Sequence, residues 1–505
     1  MLTNSRRLKK VFTHIARPEW SVWLLGFLIA ILIGKVVVSP HLSFPVLGLL
    51  AGIATLLLRL LQFVHISVSY IEKICCYSAF ITGFFGVALF PIDLGPFTLF
   101  PYRIFLVLLW GLFVARMLIQ GKVVLPLGRV KPYMAFFGIW TIYAVFSLAW
   151  AADKSGAIRY VIFLFMGVSL IFFAAKYFRD YRDLRRLYLI WFGVFCVLVL
   201  LGFWEHLTGH HLPVSGYYEA KLAALEPYVR AAVMYRPTGV FNNPNDYATF
   251  LALSIPFAIS LIRYGKSKVA QLSGLVGAAG AFYLIVVTGS RANILSVLLE
   301  LLILLLFLTG IRQKAKVAIA TAVCLAIVLV LLPGPVREFS LKVVWELSSI
   351  IAQAELTSGS VYVRANLVRN GLEFLYSTAG FGVGAGNAEY WMANFARYDT
   401  SGILNPHNWW LEILIDYGVF IFIGYVVVYV EIIRKLWHSW HEVAGREERI
   451  IAESLLLALI GFSAASISSS SIMALAPQWM LFGFSLAFLN AQGKERLDAR
   501  SNYSI

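Results

Sequence analysis

The chain has 505 residues, 60% hydrophobic and only 13% charged, with a mean hydropathy of +0.79 and a formal net charge of +16. A soluble domain carries about a quarter charged residues, so an ordinary globular enzyme is excluded. The positive charge is dispersed between apolar runs and not gathered into a patch, so no nucleic-acid partner is needed to explain it.

In chain order, Arg6, Arg7, Lys9 and Lys10 precede an apolar stretch from Trp20 with no small-residue cleavage site, which predicts a retained signal-anchor helix. Fourteen apolar segments are predicted, at 20–38, 43–61, 73–91, 102–119, 133–150, 157–176, 187–204, 247–263, 270–288, 292–309, 316–333, 409–433, 450–469 and 472–490. Backbone amides in lipid must be paired internally, so these are helices and not open strands. The expected fold is an all-α polytopic membrane bundle of about 12 to 14 spans, each near the roughly 20 residues that cross a bilayer core. Cys75, Cys76, Cys196 and Cys324 fall in or beside apolar runs without metal spacing and read as buried thiols.

With the N-terminus in the cytoplasm, the loops 116–131, 176–186, 263–268, 312–316 and 434–449 lie inside and are rich in Lys and Arg. The short connections assigned outside are nearly free of them. Both termini are then cytoplasmic. The chain divides into an N-terminal transmembrane bundle (1–204), a first outside loop (205–246), central helices (247–333), a large outside catalytic loop (334–408), C-terminal helices (409–490) and a cytoplasmic tail (491–505). Within the large loop Val363, Leu367, Phe374 and Leu375 share one helical face, predicting an amphipathic helix. Gly380, Gly382, Gly384 and Gly386 break that pattern, and no strand precedes them, so a nucleotide loop is not expected.

Three polar stretches face the outside in this topology: 235–246, 288–293 and 405–408. Arg236 and Arg291 could grip a diphosphate, because a guanidinium fork gives paired, charge-assisted hydrogen bonds and stays protonated. His407 could accept a proton near neutral pH. Asn408, Glu412 and Asp416 lie at i, i+4 and i+8, on one helix face below it. One of them could orient the imidazole or the acceptor, although Asn408 and Asp416 also suit helix caps or interhelical contacts. An outside arginine such as Arg236 often only snorkels to headgroups. Arg291, in a very short turn, has less solvent to reach. Glu300 is an ionisable group within a span and hence a functional candidate with no evident partner. No outside Asp-x-Asp pair and no Walker-type loop occurs.

The stretches Arg236-Pro-Thr-Gly-Val-Phe-Asn-Asn-Pro-Asn-Asp, Gly289-Ser-Arg-Ala-Asn, Arg364 with Gly380-Phe-Gly-Val-Gly-Ala-Gly-Asn, and Pro406-His-Asn-Trp-Trp-Leu-Glu resemble, in order and spacing, the O-antigen ligase / Wzy polymerase superfamily. The resemblance covers roughly residues 230–430. It implies a metal-independent, cofactor-free, inverting glycosyltransferase of the GT-C type in the bacterial cytoplasmic membrane, active on the outer face. The donor would be an undecaprenyl-diphosphate-linked glycan, with a glycan acceptor, the lipid bilayer, a flippase and a chain-length regulator as candidate partners. By the same resemblance, Arg236 and Arg291 match donor-diphosphate arginines and His407 matches the essential histidine. Arg364 is a secondary contact, alongside Asn245, Asn408, Glu412 and Asp416. Fourteen spans depart from the commoner layout of about twelve and look closer to teichuronic-acid or exopolysaccharide polymerases. A ligase that moves the finished glycan to a lipid or protein is the alternative. A transporter of lipid-linked sugar is a second, and it would need a continuous polar path or broken helices in related halves.

Overall fold

The protein is described by a computed structural model over residues 68–94, 97–120, 125, 127–310, 360–443, 445–469 and 472–502, with isolated positions between 314 and 341. The predicted spans at 20–38 and 43–61, most of 316–333, the basic N-terminus and Cys324 lie outside the described residues. Each of the other predicted spans coincides with a helix. Cys75 and Cys76 are buried as expected, whereas Cys196 is only half-buried.

The chain divides into two compact units, Met1–Val124 and Leu125–Ile505. In the first, α1 (Val68–Phe85) packs on α2 (Pro101–Gln120). A hairpin joins them, β1 (Ile92–Leu94) pairing antiparallel with β2 (Phe97–Leu99), which the sequence pattern did not announce. Three-residue strands are too short to show alternation. Arg116 meets the buried Glu72 carboxylate at 2.9 Å, so neither charge is left alone between the helices.

The second unit holds α3 (Lys131–Ser147), α4 (Lys154–Tyr177), α5 (Tyr181–Thr208), α6 (Pro244–Tyr264), α7 (Lys268–Thr288) and α8 (Arg291–Ile303), which runs on through a π-helical turn, Leu304–Leu308. After the large loop come α9 (Ser360–Ser377), α10 (Ala388–Phe395), α11 (Trp409–Glu442), α12 (Arg446–Ala465) and α13 (Ala476–Asn502). Among the described residues of the whole chain, seven helices are long and apolar enough to cross a bilayer. The protein is an all-α polytopic membrane protein.

Helix starts follow side-chain chemistry. Asp153, Asn243, Ser267 and Asn408 each accept hydrogen bonds from the first-turn amides of α4, α6, α7 and α11, groups with no partner inside the helix. Helix α6 is the central element, buried on every side from Tyr247 to Ser260 between α7 and α12. Lipid removes most of the hydrophobic drive between helices, so close packing and polar contacts must hold it. Trp191 Nε1 donates to Ser254 Oγ at 3.0 Å and Tyr247 OH to the Leu198 carbonyl at 2.7 Å. At the C-terminal end of α6, Arg263 pairs with Glu453, whose carboxylate also receives Tyr264, Ser260 and Trp440 and so ties α6, α11 and α12.

Two features fix the start of α11. Trp409 is fully buried among Trp140, Tyr425 and Trp479, and its Nε1 donates to Tyr425 OH at 2.9 Å. Two turns later Gly418 adopts φ +77 and ψ −178, a conformation open essentially to glycine alone, and the helix kinks. The glycine run fills the kink: Val383 N donates to Ile415 O at 2.8 Å, Gly384 N to Asp416 O at 3.0 Å, and Val419 N to Gly380 O at 2.9 Å. A Cβ on Gly382 would stand 2.6 Å from Gly418 N, so the glycines serve close backbone approach and not phosphate.

Asp416 completes this joint. Its buried carboxylate accepts from the amides of Gly386 (2.9 Å), Asn387 (3.1 Å) and Ala388 (2.9 Å). Asp416→Ala leaves three buried donors without an acceptor, a loss of about 3 kcal/mol or more at the usual 1–3 for each. The variant is expected to melt well below the wild type in detergent. An unchanged melting temperature would show that the joint does not depend on this carboxylate.

Candidate functional site

Asn245, Arg291, His407 and Asn408 sit where three helices begin. The amide-rich starts of α6, α8 and α11 meet the C-terminal end of α12 and the turn after it. Asn293 Nδ2, in the first turn of α8, donates to Ser290 Oγ (2.8 Å), to Ser468 Oγ (3.2 Å) and to the Asn245 carbonyl of α6 (3.4 Å). Ser469 donates to Asp246. Trp409 N donates to Ser466 O at 3.0 Å, and Trp410 Nε1 to Ser463 O at 3.1 Å. One end of the bundle therefore gathers three positive helix ends, each equivalent to about half a unit charge.

Arg291 is the first residue of α8, delivered by Gly289 at φ +74, which ends α7 in the left-handed cap that glycine favours. Arg364 comes from α9, whose Val363, Leu367 and Phe374 pack on Val383, Met392, Leu411 and Ile415 as the amphipathic pattern requires. Burial and the charge of Arg291 together lower the Arg364 pKa. His407 is pushed below its ordinary value by burial first and by Arg364 second, with Glu389 acting the other way. The charge of Arg291 thus acts on Arg364, and that of Arg364 on His407. His407 also carries φ +47, a conformation uncommon for a side-chain-bearing residue and one that concentrates at functional sites.

Arg236 is placed on a separate polar scaffold, and its charge is felt by Tyr217. The Glu205 carboxylate, fully buried at the end of α5, accepts from Thr238 N and Gly239 N, both at 2.7 Å, and so shapes the turn that follows Arg236-Pro237. His211 braces the same turn through Nε2 to the Met234 carbonyl at 2.8 Å and Nδ1 against Glu205 at 3.4 Å. Burial lowers its pKa, but the bonds to Glu205 and Met234 outweigh that and leave it raised.

The remaining candidates divide by role. Asn408 Oδ1 caps α11 through Trp410 N and Leu411 N, and Asp416 anchors the glycine run. Glu412 is buried beside the Tyr160 hydroxyl. Asn245 offers its backbone carbonyl to Asn293. Glu300 lies in a notch left by Gly461, with Ser296 Oγ at 3.4 Å, a fit that supplies the interhelical neighbour the sequence did not reveal. Among the described residues, no group of three His, Cys, Asp or Glu is arranged to hold a metal ion. Sequence reasoning missed Glu205, His211, Tyr160 and Glu389. A carboxyl at the end of a span should have drawn notice to Glu205. Nothing in the local pattern distinguishes Glu389.

The protein is thus a polytopic helical membrane protein that gathers three helix starts at one end of its bundle. The family model described as Wzy_C, O-antigen ligase, matches residues 275–426, which include Arg291, Arg364 and His407 but not Arg236. The teichuronic acid biosynthesis protein TuaE of Bacillus subtilis (strain 168) is 32% identical over 421 residues, covering 82% of this chain and 83% of the relative. The chain belongs to the O-antigen ligase / Wzy polymerase superfamily.

Proposed function

We propose that the protein polymerises undecaprenyl-diphosphate-linked repeat units of a cell-surface polysaccharide on the outer face of the cytoplasmic membrane. The observation that supports this reading best is the meeting of the starts of α6, α8 and α11, which carry Arg291 and, just ahead of α11, His407 to one end of the bundle, with the Arg364 charge acting on a His407 imidazole held below its ordinary pKa. A neutral imidazole is ready to take the proton of an acceptor hydroxyl. The hydroxyl oxygen then bonds to the anomeric carbon from the face opposite the diphosphate. The bond from carbon to phosphate oxygen breaks, its electron pair stays on the leaving diphosphate, and the configuration inverts. Arg291 and Arg364, with Arg236 from the neighbouring scaffold and the helix starts behind them, stabilise the departing charge. No step in this scheme requires a metal.

The name of the relative, a teichuronic acid biosynthesis protein, accords with synthesis of a surface polysaccharide. The family description, O-antigen ligase, favours a second reading, transfer of a finished glycan to a lipid or protein acceptor. Purified protein incubated with carrier-linked repeat alone separates them. A polymerase makes a ladder of lengthening carrier-linked chains. A ligase forms product only when a separate acceptor is added, and a transporter forms no glycosidic bond at all.

A further inference from the structure

Glu389 opens α10 at the edge of the site and belongs to none of the motifs above. Its Oε1 accepts from Asn405 Nδ2 at 2.7 Å. The other end of the same amide, Asn405 Oδ1, accepts the His407 backbone N–H at 2.8 Å. The amide's orientation is thereby set, since its nitrogen must face the carboxylate and its oxygen the N–H. The turn so closed is the one that carries His407 at φ +47. Such a conformation is costly for a residue with a side chain and persists only where surrounding contacts over-determine it. The carboxylate is therefore the far end of a short relay that fixes the histidine backbone.

Resting on the glycan-transfer reading, we propose that Glu389 is a positioning residue that holds His407 in place through Asn405 and balances the guanidinium charge across the site. The charges that act on the imidazole are those of Arg364 from α9 and Glu389 from α10. Arg291 of α8 acts on Arg364, while Glu412 and Asp416 of α11 and Tyr160 of α4 lie within the field of Glu389. Burial and Arg364 lower the His407 pKa and Glu389 opposes them, so removing the carboxylate charge shifts it further down.

The test compares Glu389→Gln, which keeps an acceptor for Asn405 and loses the charge, with Glu389→Ala, which loses both. Diethyl pyrocarbonate acylates only the neutral imidazole, and mass spectrometry follows the His407 peptide against pH without requiring turnover. In Glu389→Gln the modification midpoint is expected at lower pH than in wild type. In Glu389→Ala, kcat with carrier-linked repeat is expected to fall by about a hundredfold, the scale of misplacing a reacting group by an ångström, with KM little changed. A purely structural role would lower the yield of folded protein and leave the midpoint alone. An unmoved midpoint in Glu389→Gln overturns the proposal. Failure of the wild-type protein to form any glycosidic bond from carrier-linked repeat overturns the glycan-transfer reading instead, and the midpoint still reports on Glu389.

Discussion

Replacing His407 by alanine is expected to slow glycosidic bond formation by about 10²–10⁴-fold, the usual contribution of a positioned general base. Folding should be little affected, because the buried Trp409 and the Asn408 cap hold the start of α11 independently of the imidazole. Alanine tolerates φ +47 poorly, so His407→Asn makes the sharper control. Asparagine is among the residues that most readily adopt positive φ, yet it cannot act as a base. Both variants should leave single repeats on the carrier while membrane expression persists. The pH dependence follows from the direction of the shift. Burial and Arg364 disfavour the imidazolium, so the imidazole stays neutral to a lower pH than a free histidine near 6.5 would. Activity is expected to hold through neutral pH and to fall only as the pH drops through that lowered value. The same shift means that protonating His407 in acid opposes the folded state, a penalty the alanine variant escapes. Normal polymer length from either variant would remove His407 from the mechanism.

Loss of the Arg291 guanidinium is the second large effect. Arg291→Ala is expected to cost about 10²–10³-fold in kcat, the range for removing one donor aimed at developing negative charge. Arg291→Lys restores the charge without the planar fork and should recover only part of it. Because Arg291 helps lower the Arg364 pKa, its removal also relieves a repulsion, so stability in detergent should not fall in step with activity. Rates with saturating carrier substrate, set beside melting temperatures for the three proteins, separate the two quantities. Equal activity in wild type and Arg291→Ala would place the diphosphate elsewhere.

The helices were legible in the sequence because lipid imposes one solution on an apolar run of sufficient length. Their ends were less so. Helix α1 already includes residues 68–72, ahead of the expected start at 73, and α11 continues to Glu442, nine residues past its predicted end, with Arg434 and Lys435 inside it. Charged residues do not end a helix that leaves the apolar layer, so the hydropathy boundary and the helix boundary part. The amphipathic face of α9 was read correctly at Val363, Leu367 and Phe374, which join the buried cluster, while Leu375, expected on the same face, is only half-buried and stays outside it.

The site was legible as residue types and illegible as geometry. Arg291 and His407 stood out because a guanidinium and an imidazole beside apolar spans need a reason. Arg364, placed second from the sequence, lies nearer to them electrostatically than the pattern suggested. The spacing put Asn408, Glu412 and Asp416 on one helix face below His407, and a cap was already one reading of Asn408. The contacts give each its own place: that cap, a buried neighbour of Tyr160 and an anchor for three amides. Periodicity places side chains on a face but is silent about which distant loop returns to it. The glycine run at 380–386 returns to the Gly418 kink, and no local pattern joins the two.

The most direct test is a cryo-electron microscopy structure of the protein with an undecaprenyl-diphosphate-linked glycan bound. The account predicts the diphosphate between Arg291 and Arg364, at the starts of α6, α8 and α11, with the anomeric carbon within reach of an acceptor hydroxyl held by His407. Headgroup density on another surface of the bundle, with these three side chains facing acyl chains, would contradict it.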